Sequence, residues 1–166
     1  MYRTIDDFFP DWEQENKKTD SILAALTDDA LDQRATAEGR TLRTLAWHLV
    51  TSISEMMGRV QLHPAGPGED APEPSTAAEI LAAYRALVAS LSKEMRERWT
   101  DEDLDRENDM YGATWKNAQT LQVLLKHEIH HRAQLTVFMR LAGLRVPGVY
   151  GPSKEEWSTM GMEPLP

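Results

Sequence analysis

Three of the five histidines lie in the run His127-Glu128-Ile129-His130-His131, and a fourth, His48, stands far upstream. On a helix, His127 and His131 are one turn apart, with about 40° between them around the axis. Two imidazoles projected side by side can chelate one divalent ion, and a third ligand from another helix would complete an open site. His48 is the best third candidate, because it lies in a second strongly helical segment, beside Leu45 and Leu49 and after Trp47. His130 stands about 60° from His127 and about 100° from His131. It falls in line with Val123 and Val137, which points to packing or to support of a ligand. His63, followed by Pro64, reads as a surface residue.

The same run matches H-E-x-x-H, the zinc-protease helix in which a glutamate activates water. That scheme would make Glu128 the base and draw a further ligand from Glu155 or Glu156. The pattern is short and the chain offers no sheet to line a peptide cleft, so the preferred reading leaves Glu128 simply exposed. A duller reading of the histidines is an ordinary polar cluster beside Lys126 and Arg132. Against it, His127 and His131 share a stripe with Leu124, Leu135 (or Gln134) and Phe138. Buried imidazoles without partners would cost about 1–3 kcal/mol for each unsatisfied group, and a metal supplies one partner to each ring.

Four helical patterns must position these residues, and almost nothing reads as a strand. The first runs from about Asp7 to Leu26, carrying Phe8, Phe9, Trp12, Ile22, Leu23 and Leu26, with Pro10 tolerable in its first turn. The second runs from about Leu42 to Leu62, after the N-cap candidate Thr41. Its stripe is Leu42, Leu45, Leu49, Ile53, Met56 and Val60. The Pro- and Gly-rich stretch from His63 to Pro74 is expected to be a mobile loop. Thr76 and Glu79 have capping-box spacing at the start of the third helix, which continues to about Trp99. Its inner face is Ile80, Leu81, Tyr84, Leu87, Leu91 and Met95.

An acidic connection, Asp101 to Asp109, leads through Tyr111-Gly112-Ala113-Thr114 to the fourth helix, about Lys116 to Ala142, which Gly143 stops. Ser153 and Glu156 can cap one further short turn bearing Trp157. The expected architecture is all-α: one domain over residues 1–166, a four-helix bundle with a turn-rich C-terminal tail draped over it.

Composition narrows the chemistry. The 166 residues suffice for one core, and with no cysteine any metal must be held by imidazole or carboxylate. A net charge of −9 argues against nucleic-acid or anionic-membrane binding, which draws on clustered Lys and Arg. The N-terminus lacks a basic segment followed by an apolar run, and no stretch approaches the roughly 18 apolar residues of a membrane span. A soluble, cytoplasmic protein is expected.

Several elements, in order, resemble the DinB/YfiT-like family of bacterial four-helix metal-binding proteins. They are Leu45-Ala46-Trp47-His48-Leu49-Val50, then His127-Glu128-Ile129-His130-His131-Arg132-Ala133-Gln134-Leu135. The third runs from Leu141-Ala142-Gly143-Leu144-Arg145 into Val146-Pro147-Gly148-Val149-Tyr150-Gly151-Pro152-Ser153. Ala133 stands where the family usually has Gly after H-H-R, a departure that leaves the ligands untouched. The likeness implies an open triad of His48, His127 and His131 on a divalent ion, zinc or nickel foremost and iron or manganese next. It also implies thiol-dependent chemistry: related members join a low-molecular-weight thiol to an electrophile, and one is a mycothiol-dependent isomerase.

The function that follows is a metal-dependent S-transferase, whose low-molecular-weight thiol cosubstrate the cysteine-free chain must take from solution.

 The electrophile and the thiol are then its small-molecule partners, and the family likeness suggests a homodimer. Two other outcomes share the triad: a hydrolase in which the same open position activates water, and a stress-response metal-binding module that turns nothing over. Glu55, seven residues after His48, projects from the same helix face. There it can orient a ligand, move a proton, or form a solvated salt bridge.

Overall fold

The computed structural model describes residues 1–163, so the last three residues of the expected domain lie outside the described part. Four long helices form as the apolar spacing requires: α1 (Ile5–Ala24), α2 (Leu42–Arg59), α3 (Ala77–Arg98) and α4 (Asn117–Leu141). Thr4 and Asp7 close a capping box on α1, and Thr76 and Glu79 close another on α3. Thr41 caps α2 by accepting from the Thr44 N–H. These side chains satisfy backbone donors that the first helical turn leaves open. A short α5 (Lys154–Trp157) follows Ser153, whose N–H donates to Glu156 (2.9 Å), one half of the expected box. None of these helices is long and apolar enough to cross a membrane.

Helix α1 packs on α3 and α4, and α2 packs on the same two, so α1 and α2 occupy opposite corners of the bundle. The connections after α1 and after α3 therefore cross an end of the bundle, which explains their length. The second crossing departs from the all-helical expectation. It contains a hairpin of β1 (Glu107–Met110) and β2 (Ala113–Lys116), paired antiparallel with Met110 opposite Ala113. The acidic residues of this stretch hid the strand pattern, because the inward face of so short a ribbon is marked only by Asn108, Met110 and Trp115. Asn117 fastens the hairpin to the start of α4: its Nδ2 donates to the Asp103 carbonyl (2.8 Å), and its Oδ1 accepts from Asn108 (2.7 Å).

The apolar stripes of α1, α2 and α3 meet in one core, with Phe8, Trp12, Leu42, Leu49, Ile80, Leu87 and Met95 among its buried members. The stretch from His63 to Pro74 is tied down, in contrast to the free loop its composition suggests. The Trp47 indole donates to the Ala71 carbonyl (2.8 Å), Ser54 Oγ to the Pro67 carbonyl (2.7 Å), and the Ala65 N–H to Ser90 Oγ (2.7 Å). This loop walls one side of the cavity beside His48. Trp47→Phe keeps the ring but removes the donor, and should cost about 1 kcal/mol in urea unfolding while speeding amide exchange across residues 63–74. Exchange unchanged in that loop would show that the indole bond does not hold it.

Candidate metal centre

Helix α4 carries two parallel rows. Glu128 and Arg132 follow His127 and His131 by one residue each, so each row is turned about 100° from the other. Contrary to the expectation of an exposed Glu128, both Glu128 (2%) and Arg132 (1%) are buried. They lie in the core-facing stripe with Leu121, Leu124, Leu125, Leu135 and Met139. The matching level of α1 is also polar and buried: Glu15, Asn16 and Thr19. The Arg132 guanidinium pairs with the Glu15 carboxylate, donates to the Glu15 carbonyl (3.0 Å) and donates to Thr19 Oγ1 (3.1 Å). Thr19 in turn donates to Glu128 Oε1 (2.6 Å), and the Tyr84 hydroxyl of α3 donates to the same oxygen (2.7 Å).

Burial pushes the Glu128 carboxyl above its usual range, opposed by the bonds from Thr19 and Tyr84. Burial acts in the same direction on Glu15, but donation from Lys18, Tyr150 and Arg132 outweighs it and holds that carboxyl low. Tyr150 reaches this layer from the C-terminal tail, donating to Glu15 Oε2 (2.7 Å) and accepting from Arg132 (2.9 Å). The tail is held in turn by Glu156, which accepts from the N–H groups of Gly148 and Ser153 (2.9 Å each). A Cβ at position 148 would collide with Glu156 and the Gly151 carbonyl, which accounts for glycine there.

With one row of α4 fixed against α1 and α3, the other faces α2. His48, His127 and His131 converge there: one nitrogen from each lies within 4.8 Å of the other two. The ring centroids are 5.2 Å apart for His48 and His127, 4.7 Å for His48 and His131, and 4.3 Å for His127 and His131. Nε2 of His127 and Nε2 of His131 are 3.1 Å apart. Tetrahedral zinc with bonds of about 2.0–2.1 Å would separate two ligand nitrogens by roughly 3.3 Å, so the donor set fits a divalent ion. Nδ1 of His131 faces Gln134 Oε1 at 2.8 Å, and donation to that oxygen leaves the Nε2 lone pair pointing into the site.

All three imidazoles are held below the ordinary histidine range. Burial is the main cause in each; His127 falls to about 4, with further lowering by His131 and His48. The rings are therefore neutral at pH 7, the form that coordinates metal.

His130 is exposed, its ring 4.9 Å from that of His131 and outside the converging set. His63 is exposed as expected. Glu55 is no solvated partner: its side chain is 13% exposed, bonded by Arg59 Nε (2.6 Å) and by the Tyr111 hydroxyl (2.6 Å). Tyr111 forms the hairpin turn with Gly112, at φ 60° and 82° respectively. A left-handed tyrosine costs about 1–2 kcal/mol, and the bond to Glu55 offsets part of it. Gln134 and Tyr111 were the contributors that spacing did not single out. Gln134 was detectable as the residue three after His131, whereas Tyr111 depends on a long-range contact.

The histidines stand between two cavities. One, about 460 Å³, is lined by His48, Ser52, Glu55, Arg59, Tyr111 and His127 among others. The second, about 380 Å³, is lined by Arg40, Leu45, His131, Gln134, Val137 and Phe138.

A helical bundle with three facing histidines at the α2–α4 seam defines the class, and the comparisons with known proteins agree. The chain belongs to the DinB family, whose model matches residues 1–164. It is 39% identical over 163 residues to the uncharacterized protein YrdA of Bacillus subtilis (strain 168), covering 98% of each chain. It superposes with a TM-score of 0.87 on the crystal structure of a DinB-like protein from Bacillus cereus ATCC 10987, at 39% identity, covering 90% of this chain and all of that one. The DinB-like protein YjoA of Bacillus subtilis shares the fold at a TM-score of 0.67 and 22% identity, over 86% of this chain and 96% of that one.

Replacing His48, His127 or His131 by Ala should weaken zinc binding by roughly 100-fold or more, and Gln134→Leu by about 10-fold. His63→Ala, His130→Ala and Glu128→Gln should leave it unchanged in a competition titration. Loss of zinc in the His130 variant with none in the His131 variant would contradict the assignment. Arg132→Ala leaves Glu15 held by Lys18 and Tyr150 alone and strips the buried layer of its guanidinium, and should cost about 1.5–3 kcal/mol of unfolding free energy. A loss under about 1 kcal/mol, the range of an exposed pair, would contradict that role.

Proposed function

We propose that this protein is a divalent-metal-dependent S-transferase that joins a low-molecular-weight thiol to an electrophile. The observation that carries this reading is the position of the three imidazoles between two separate cavities, one for each reactant. A transferase needs room for two reactants on either side of the ion, and the two cavities provide it. The absence of cysteine agrees, since the chain has no thiol of its own to act as nucleophile.

His48, His127 and His131 would hold the ion through neutral imidazoles, leaving its charge undiminished. Bound there, a divalent ion lowers the pKa of a thiol and so supplies thiolate at neutral pH. The residues around it have separable tasks. Gln134 fixes the orientation of His131. Glu55 lines the larger cavity together with His48 and His127, so its carboxylate is placed to accept the thiol proton. Arg59 and Tyr111 hold that carboxylate in place. In the overall reaction the sulfur–carbon bond forms, the leaving group departs from the electrophile, and the thiol proton passes to Glu55 and on to solvent.

The test is adduct formation between a panel of thiols (cysteine, glutathione, a glucosamine-linked thiol) and monochlorobimane, followed by chromatography. Zinc- or nickel-loaded protein should accelerate adduct formation with at least one thiol by ~10-fold or more, a barrier change of about 1.4 kcal/mol. The acceleration should vanish on chelation and in His127→Ala. Equal rates for loaded and chelated protein across the panel would overturn the reading. Metal-dependent ester hydrolysis in the same samples would favour the hydrolase instead.

A further inference from the structure

The two cavities beside the histidines differ in how their charges are settled. In the larger one Arg59 is already paired with Glu55. In the smaller one Arg40 lies at the edge of an otherwise apolar wall of Leu45, Val137 and Phe138. Among the described residues Arg40 takes part in no ion pair, in a protein whose net charge is −9. Its position is also unfavourable by itself, since it adds positive charge beside a cluster suited to a cation. Val137, six residues beyond His131 on α4, is 56% exposed despite being aliphatic. An unpaired guanidinium next to exposed apolar surface is the combination that binds an apolar molecule with an anionic end.

We infer that the smaller cavity takes an amphiphilic organic carboxylate, its apolar body on Leu45, Val137 and Phe138 and its anionic group at Arg40, on the His131 side of the triad. That this molecule is the electrophilic reactant rests on the S-transferase reading; the binding preference itself does not. The carboxylate neutralises Arg40 where it faces the histidines, and the apolar wall selects against small hydrophilic acids. The larger, polar cavity is left for the thiol.

Binding of octanoate, octan-1-ol and octylamine to zinc-loaded and to chelated protein, followed by calorimetry and by amide shifts of α4, tests this without any reaction. Octanoate should bind best and octylamine worst, in both forms of the protein. Arg40→Gln should weaken octanoate by about 10-fold and leave octan-1-ol unchanged. Val137→Asp, at an exposed position that tolerates the change, should also weaken octanoate. Octanoate affinity unchanged by Arg40→Gln, or octylamine binding as well as octanoate, would overturn the inference. So would octanoate binding that is lost on chelation yet indifferent to Arg40, which would place the anion on the metal alone. If adduct formation fails while octanoate still depends on Arg40, the S-transferase reading falls and the cavity assignment stands.

Discussion

The site depends on a buried layer of polar side chains across α1, α3 and α4. Arg132 is bound to Glu15 and Thr19, and Glu128 to Thr19 and Tyr84, all inside an otherwise apolar bundle. A buried ion pair is weak evidence for stability, because desolvation offsets much of its attraction. Its value here is geometric. An apolar stripe tolerates small rotations of a helix, whereas a guanidinium held by a carboxylate, a carbonyl and a hydroxyl does not. Fixing Glu128 and Arg132 fixes the axial rotation of α4, and the row one residue earlier is thereby aimed at α2. Tyr150 extends the same layer into the tail, so the final segment of the chain also bears on the position of the histidines.

What this arrangement produces is a set of neutral bases with few ways to be satisfied by protein alone. His131 has one nitrogen occupied by Gln134, and its other nitrogen faces that of His127. Protonation of any one ring is opposed by burial and by its neighbours, so a proton is a poor occupant of the space between them. A divalent ion is a better one. The cavities on either side then differ in chemistry, one polar and acidic with its arginine paired to Glu55 and one apolar with an unpaired arginine.

Much of this was legible from residue spacing. The four helices and the pairing of His48 with the 127/131 couple follow from three- and four-residue periodicity, because amphipathic helices state their inner face directly, while Thr41 and the Thr76–Glu79 spacing mark two of the helix starts. Periodicity misled where polar residues occupy the core. Glu128 was read as exposed because an isolated buried carboxylate is costly, and nothing in spacing revealed that Thr19, more than a hundred residues earlier, would supply its partner. Arg132, which entered only as a neighbour in the polar-cluster reading, is buried for the same long-range reason, through Glu15 and Thr19. The hairpin escaped notice because its strands are four residues long and their inward positions, Asn108, Met110 and Trp115, make too short and too polar an alternation to stand out. Tyr111 and Glu55 meet only through that hairpin, so their contact could not precede the fold.

The central claim is that three imidazoles hold one divalent ion and leave a position open to a thiol. It is tested most directly by the visible spectrum of the cobalt(II)-substituted protein during titration with a small thiol. The account predicts one cobalt per chain and, on adding thiol, a sulfur-to-cobalt charge-transfer band that is absent from His48→Ala. A spectrum unmoved by every thiol tried, or unchanged when His48 is removed, would contradict it.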